Sequence, residues 1–357
     1  MRLEPPSWWY EGPVPAAAWA LWPIAAVYGR IVERRFRTAS PYRSKLPVIC
    51  IGNVTLGGAG KTPLALKVAS LLRGAGKNPG FLTRGYGGSE RGPYLLTSAA
   101  DDAEKVGDEP LLLGRAAPTA VSRNRPAGAK LLETLAVDAI VMDDGFQNPS
   151  LEKDFTLIAV DAGAAFGSGH VFPLGPLRAP IEFQVCRADA VVILGAKDCS
   201  SGSVAETIGR LRGKLGLAPL PVFEARIVPL DLDDLRDRSF LAFCGIGRPG
   251  KFFGTLQQAG IAVAGSRSFP DHHAYTEADA RELIAKAKTL NAALITTEKD
   301  HVRLRGKGGA LGDLYKAAIA LPITVKFLGE GEALLMDLLT AAAFQRRAVE
   351  NIVCGAI

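Results

Sequence analysis

The sequence predicts an α/β fold: a mostly parallel sheet core, a second and smaller α/β unit, and an N-terminal membrane-associated helix. Three observations carry this. From residue 46 onward, short β-rich apolar runs alternate with helical patterns, the signature of strands joined by crossover helices. The alternation restarts after the Pro-rich stretch "LAPLPVFEARIVPLD", near residue 225. All four tryptophans crowd into the first 22 residues, beside an apolar run. A chain of 357 residues fits two domains better than one small core. The expected division is 1–38 as anchor and basic flank, 39–225 as the larger domain, and 226–357 as the smaller one.

The anchor rests on "PVPAAAWALWPIAAVYG", a run of 17 residues from Pro13 to Gly29 that Pro23 interrupts. It is barely long enough to span a bilayer. Arg30, Arg34, Arg35, Arg37, Arg43 and Lys45 follow, against the single acid Glu33. A cleaved signal peptide has the opposite order of charge and apolar run. A basic flank is held on the cytoplasmic side and tryptophans favour the interface. Either a short span or an interfacial helix fits, and a helix packed on the domain is the plain alternative.

The larger domain opens with the strand candidate "LPVICIG" (46–52). A Gly loop follows, then the helix "PLALKVASLLRGAG", ended by Gly74 or Gly76, with Pro63 just inside it. Further strand candidates are "GFLTRG" (80–85), "VDAIVMDDG" (137–145), "FTLIAVDA" (155–162) and "ADAVVILG" (188–195). In the smaller unit "SFLAFCGIGRPGKFFGTLQQAG" reads as strand, glycine turn and helix. "EADARELIAKAKTL" reads as a helix, and "AALITTEKD" and "PITVKFLG" as strands.

The loop "NVTLGGAGKTP" departs from the phosphate-loop pattern G-x-x-x-x-G-K-[ST] only in Thr55, which stands where the first glycine belongs. Backbone N–H groups of such a loop cradle phosphates, the lysine reaches the β and γ oxygens, and the threonine hydroxyl holds Mg²⁺. Thr55 is tolerable if its backbone stays in a β or right-handed helical conformation. The candidate ATP-binding residues are therefore Thr55, Leu56, Gly57, Gly58, Ala59, Gly60, Lys61 and Thr62, and the core is P-loop NTPase-like. Such a loop needs a carboxylate at the end of another strand on the metal side. "AIVMDDGFQN" offers Asp143 and Asp144 beside Thr62, without deciding which of the two touches the metal.

Elsewhere the residues leave alternatives open. Asp108 in "KVGDEP" is a catalytic candidate and equally an ordinary helix-start aspartate before Pro110. His272 and His273 in "FPDHHAY" are adjacent, so they point apart and cannot form an i, i+4 metal face. A histidine paired with a carboxylate is an acid–base element, and a solvated helix start is the bland alternative. Arg84 and Tyr86 in "TRGYGG", Arg123 and Arg125 in "VSRNRPAGA", and Arg178 in "PLGPLRAP" put guanidinium groups in Gly- and Pro-flanked loops, where such groups clamp phosphates.

Bulk composition narrows the classes. The net charge of +6 suits an anionic membrane or a phosphorylated substrate. Nucleic acid is disfavoured, because aromatic residues are only 7% and no stretch interleaves them with Lys and Arg as a single-strand-binding platform would. Cys50, Cys186, Cys199, Cys244 and Cys354 are widely spaced with no C-x-x-C, which reads as reduced thiols in a cytosol-facing protein. A guanine-reading N-K-x-D motif is missing: "GAKDC" and "TTEKD" both fail it. A membrane-attached P-loop GTPase or ATPase acting as chaperone or scaffold is the alternative function, and it would need neither Asp108 nor His272.

Taken in order, "GNVTLGGAGKTP", "TRGYGG", "GDEP", "DDGFQ", "GPLRAP", "FCGIGRPGKFF", "FPDHHAY" and "TTEKD" resemble the tetraacyldisaccharide 4′-kinase family across nearly the whole chain. The family pattern itself carries threonine at the position of Thr55. The resemblance implies transfer of the ATP γ-phosphoryl group, with Mg²⁺, to the 4′-hydroxyl of a tetraacyldisaccharide 1-phosphate at the cytoplasmic face of the inner membrane. It implies catalytic roles for Asp108, His272 and Lys61, with Asp108 as base and His272 tuning it. Arg84 and Tyr86 would lie on a mobile loop, and Gln147, Arg125 and Arg178 on the substrate or phosphate side. Its partners would be the lipid substrate and the membrane surface, with no protein partner. Two positions depart from the pattern: Ala179 stands where Glu is common, and Asn148 where His is common.

Overall fold

The computed structural model describes residues 5–97, 101–195 and 201–345. Cys199, Cys354 and most of "GAKDC" lie outside them.

The expected strands of the larger domain form where the apolar runs stand, as Val48–Gly52, Pro79–Thr83, Ala139–Asp143, Phe155–Asp161 and Ala190–Leu194, each buried along its whole length. Burial on both faces explains why they read as continuous apolar runs rather than alternating ones. Seven strands follow one another in the order Ile323–Phe327, Val222–Pro229, Ala190–Leu194, Phe155–Asp161, Val48–Gly52, Ala139–Asp143, Pro79–Thr83. The Gly-loop strand is thus flanked in parallel by Ala139–Asp143 and Phe155–Asp161, with Ile51 in register with Asp143. That pairing carries the aspartate pair to the same end of the sheet as the loop. The helix after the loop runs Lys61–Gly74. It closes as the glycines suggest: Gly76 has φ 73°, and Lys77 N–H bonds back to the Leu72 carbonyl.

A four-stranded sheet forms separately, in the order Ala262–Ser268, Ser239–Cys244, Ala293–Thr297, Ala318–Leu321, parallel throughout. Its last strand, in "KAAIAL", is short and apolar and was not among the sequence candidates.

The chain divides into two compact units, and not by a single cut near 225. One comprises Met1–Leu82, Leu132–Ile227 and Val325–Ile357, the other Thr83–Leu131 and Val228–Thr324. The segment 83–131 leaves the first unit because its apolar side chains are buried in the second. Val106, Leu111, Leu112 and Val121 pack with Val302, and Glu109 and Glu104 pair with Lys299 and Lys307. The return of the chain after 324 has an equally local cause. Phe327 packs edge-on against Phe223, with ring centroids 6.2 Å apart, and Leu328 N–H bonds to the Glu224 carbonyl. "PITVKFLG" is therefore a strand of the larger sheet, not of the smaller unit.

The N-terminal apolar run is not one helix. Ala16–Leu21 is a 3₁₀ stretch, and the α-helix Trp22–Thr38 begins with Pro23 in its first turn. Among the described residues no helix is long and apolar enough to cross a membrane, because Arg30, Arg34, Arg35 and Arg37 fall inside the helix rather than after it. The helix buries Ala25, Gly29 and Val32 and leaves Ile24, Val27 and Ile31 more than half exposed.

Candidate active site

Two clusters of functional side chains form, each within one unit. The first is the Gly loop. Thr55 makes an antiparallel bridge to Leu177, so its backbone is extended and needs no glycine. Gly60, the N-cap of helix Lys61–Gly74, does: its φ is 77°, and a Cβ there would lie 2.7 Å from Leu194 Cδ1. Lys61 and Thr62 open the helix, where backbone N–H groups and the helix dipole favour an anion.

The strand-end aspartates meet this helix start. Thr62 Oγ1 donates to Asp143 Oδ2 at 3.1 Å, and both groups are buried. Lys61 Nζ stands 3.7 Å from Asp144 Oδ1, which also accepts from Arg178 Nη1 at 3.0 Å. Asp144 adopts φ 50°, so consecutive aspartates present different faces: Asp143 to Thr62, Asp144 to Lys61 and Arg178. The guanidinium of Arg178 continues to Gln147 Oε1 at 3.1 Å and to the Thr55 carbonyl at 2.9 Å. Gln147 donates to the Asn53 carbonyl at 2.8 Å. The sequence candidates Lys61, Thr62, Asp143, Asp144, Gln147 and Arg178 thus form one network. A hydroxyl beside a carboxylate, open to a phosphate on the adjoining loop, is a donor set that fits Mg²⁺. Among the described residues no group of three His, Cys, Asp or Glu side chains makes a metal cage. The two departures from the family pattern are locally satisfied: the Ala179 carbonyl accepts from Gln184, and Asn148 Oδ1 from Ser150.

The second cluster centres on Asp108, which begins helix Asp108–Gly114. Gly107 is the N-cap with φ 92°, and a Cβ there would come within 2.5 Å of the Tyr86 carbonyl. That close approach joins the "TRGYGG" and "VGDEP" loops backbone to backbone. Asp108 Oδ2 receives Arg303 through both Nε, at 2.9 Å, and Nη2, and it lies 3.1 Å from His272 Nδ1. Asp108 Oδ1 accepts the Glu109 N–H at 2.9 Å. Burial alone would raise the Asp108 carboxyl. The hydrogen bond to His272 and the charges of Arg303 and Lys299 outweigh it and hold the group well below the usual carboxylate range.

Arg303 is in turn fixed by Asp300 Oδ1 at 2.7 Å and the Gly245 carbonyl at 2.8 Å. Asp300 is fully buried and also takes Gly245 N–H and the Tyr275 hydroxyl, each at 2.9 Å. Beside that carboxylate, burial and the Asp300 charge push the Tyr275 phenol far up, so it stays a donor. The two histidines diverge as their adjacency requires. His272, at φ 55°, turns toward Asp108, whereas His273 bonds Asp279 Oδ2 at 3.0 Å and stacks on Phe269. Tyr86 is half exposed, with its ring 5.5 Å from His272. Arg84 is exposed. Arg125 is buried at the start of its helix and donates to the Ser122 carbonyl at 2.7 Å, so its guanidinium is not displayed to solvent as a loop clamp would be.

Arg303 and Asp300 are functional-looking residues that the sequence analysis did not assign. A signal existed. "TTEKD" has a cap-like spacing: Thr297 caps helix Glu298–Leu304, accepting from Asp300 N–H at 3.1 Å. Arg303 then follows Asp300 by one helical turn.

The family model described as LpxK, tetraacyldisaccharide-1-P 4′-kinase, matches residues 17–342. The chain belongs to this family. A tetraacyldisaccharide 4′-kinase from Methylobacterium radiotolerans is 48% identical over 302 residues, covering 85% of this chain and 90% of that one. One from Parvibaculum lavamentivorans is 42% identical over 97% of this chain and 100% of its own. Among solved structures, LpxK from Aquifex aeolicus in complex with ATP superposes with a TM-score of 0.72 at 25% identity, covering 92% of this chain and all of that one. That member of the 4′-kinase family thus shares the fold of this chain over most of its length, P-loop core included.

Proposed function

We propose that the chain transfers the γ-phosphoryl group of ATP to the 4′-hydroxyl of a tetraacyldisaccharide 1-phosphate, forming lipid IVA. The observation that carries the nucleotide half is the Thr62–Asp143 contact at the head of the Gly loop, 3.1 Å long. Loop N–H groups and Lys61 bind the β and γ oxygens, and Arg178 adds positive charge beside them. Thr62 and Asp143 would hold Mg²⁺, with Asp144 beside them. The ion, when bound, neutralises charge that develops on the phosphate oxygens.

Asp108 receives the acceptor proton. The 4′-oxygen forms its bond to the γ-phosphorus, the bond from that phosphorus to the β–γ bridging oxygen breaks, ADP leaves, and the hydroxyl proton passes to the carboxylate. Oδ2 is occupied by Arg303 and His272, whereas Oδ1 carries the Glu109 amide and retains acceptor capacity. A carboxylate this acidic is a weak base. A loose phosphoryl-transfer transition state asks for little more, since the proton moves late. His272 and Arg303 hold the carboxylate in place. Tyr86 and Arg84 lie on the substrate side, and Arg125 contributes by ordering its loop.

The acceptor is a lipid, and the N-terminal helix suits its surface. Ile24, Val27 and Ile31 form one exposed stripe at helical spacing, bordered by Arg34 and Arg35, with Trp19 and Trp22 exposed before it. Such a helix lies in the interface of an anionic leaflet, here the cytoplasmic face of the inner membrane. The test is incubation of detergent-solubilised protein with labelled ATP and the tetraacyldisaccharide 1-phosphate. Label is expected in the lipid product. ATP bound with no label transferred sinks the kinase and leaves the scaffold reading.

A further inference from the structure

The stretch before the amphipathic helix does more than lead into it. Ser7–Trp9 is a single 3₁₀ turn, closed by Tyr10 N–H on the Ser7 carbonyl at 3.0 Å. Trp9 is buried. Its indole N–H donates to the Pro173 carbonyl at 3.3 Å, and its own carbonyl receives Ser168 N–H at 2.7 Å. The segment it grips is the one that backs the Gly loop: Leu56 N–H bonds the Pro176 carbonyl at 2.7 Å, and Arg178 N–H the Val54 carbonyl at 2.9 Å. Tyr10 therefore leaves a fixed base, and its hydroxyl donates to the Leu56 carbonyl at 2.7 Å.

We propose that Tyr10 is a positioning residue for the nucleotide loop, its hydroxyl selecting the orientation of the Leu56–Gly57 peptide in which the Gly57 N–H faces the phosphates. The inference rests on the reading that this loop holds ATP. In a planar trans peptide the carbonyl and the following N–H point in opposite directions, so drawing the Leu56 carbonyl to Tyr10 turns the Gly57 N–H the other way. The neighbouring carbonyls are held by other donors: Thr55 by Arg178 and Asn53, Gly57 by Asn53 at 3.2 Å. The Leu56–Gly57 peptide is the one that most needs such a hold. Gly57 sits at φ 108°, and glycine populates both signs of φ readily, so a flip of the preceding peptide costs little sterically. Its ideal Cβ position lies 3.6 Å from the Tyr10 hydroxyl oxygen, with no other neighbour within 4 Å.

The experiment uses the full chain carrying Tyr10→Phe, which keeps the ring and removes only the hydroxyl. ATP affinity is measured directly, and steady-state kinetics are run with ATP and with the lipid acceptor. The loss of one hydrogen bond predicts a rise of about 3- to 10-fold in both the Kd and the KM for ATP. At saturating ATP, kcat and the KM for the acceptor stay within about twofold, because the loop once filled is ordered by its ligand. An unchanged ATP affinity overturns the proposal. So does a fall in kcat with the KM for ATP unmoved, or a common loss in all parameters with a lowered melting temperature, which marks a merely structural tyrosine. If the unsubstituted chain itself binds no ATP, the nucleotide reading fails and not Tyr10.

Discussion

The nucleotide loop of the first unit and the Asp108 cluster of the second are built from chain segments of very different reach. From Thr55 to Thr62 the loop is contiguous, and in the proposed function its working groups are mainly backbone N–H. Its carboxylate partners arrive on the adjacent parallel strand, with Ile51 paired to Asp143. The Asp108 cluster has no such frame. Asp108 is 164 residues from His272 and 195 from Arg303, and its long-range partners are all side chains. A loop whose donors are backbone tolerates altered letters such as Thr55, since what matters is the path of the chain. A site made of buried charges tolerates little, since each charge depends on a particular partner.

Substitutions can break this contrast. The largest effect is expected for Asp108→Ala, which should cut kcat by about 10³-fold while leaving ATP affinity within a few-fold, as read by single-turnover kinetics and nucleotide titration. Turnover near that of the unsubstituted chain would falsify the base assignment.

Arg303→Met probes the buried ion pairs, because it strips Asp108 and Asp300 of their common partner. Leaving such charges uncompensated should cost about 3–5 kcal/mol at neutral pH, measured by urea unfolding. The sign with pH is fixed by the depressed Asp108 carboxyl. In the unsubstituted chain its stabilising contribution is complete above the unfolded carboxylate value of about 3.9, and is lost as pH falls through the lower folded value. Without Arg303 the carboxyl rises. The acid limb of kcat/KM should then move to higher pH, and the stability deficit should shrink as pH falls. An unmoved acid limb would show that Arg303 does not act through Asp108.

A smaller effect sharpens the comparison from the surface. Replacing Ile24, Val27 and Ile31 together by serine should weaken partition onto anionic vesicles by about tenfold or more, with the ATP affinity and melting temperature unchanged. If partition is unaffected, that stripe does not meet the bilayer.

Much of the first unit was legible because its signals are local. The strand "VICIG", the glycines, the Lys-Thr pair and the stop at Gly74 or Gly76 each act within a few residues, and the strand and the helix they bound formed where expected. The division near 225 was visible as a change of pattern, but two features were not. Segment 83–131 packs with the second unit because Val106, Leu111 and Val121 are buried with Val302, and no local feature of a β-rich or helical run says which core it joins. The chain after 324 returns to the first sheet for the same kind of reason, through Phe327 against Phe223.

The sequence by itself determined the parallel α/β core, the phosphate loop with its tolerated threonine, and the aspartate pair at a strand end. Chain-local backbone geometry and apolar burial decide all three. Only the tertiary structure decided that Arg303, held by buried Asp300, joins His272 in holding the Asp108 carboxyl below its usual range, and that Tyr10 reaches the loop. Both depend on distant side chains meeting, and the energy of such a meeting is written in no short stretch of residues.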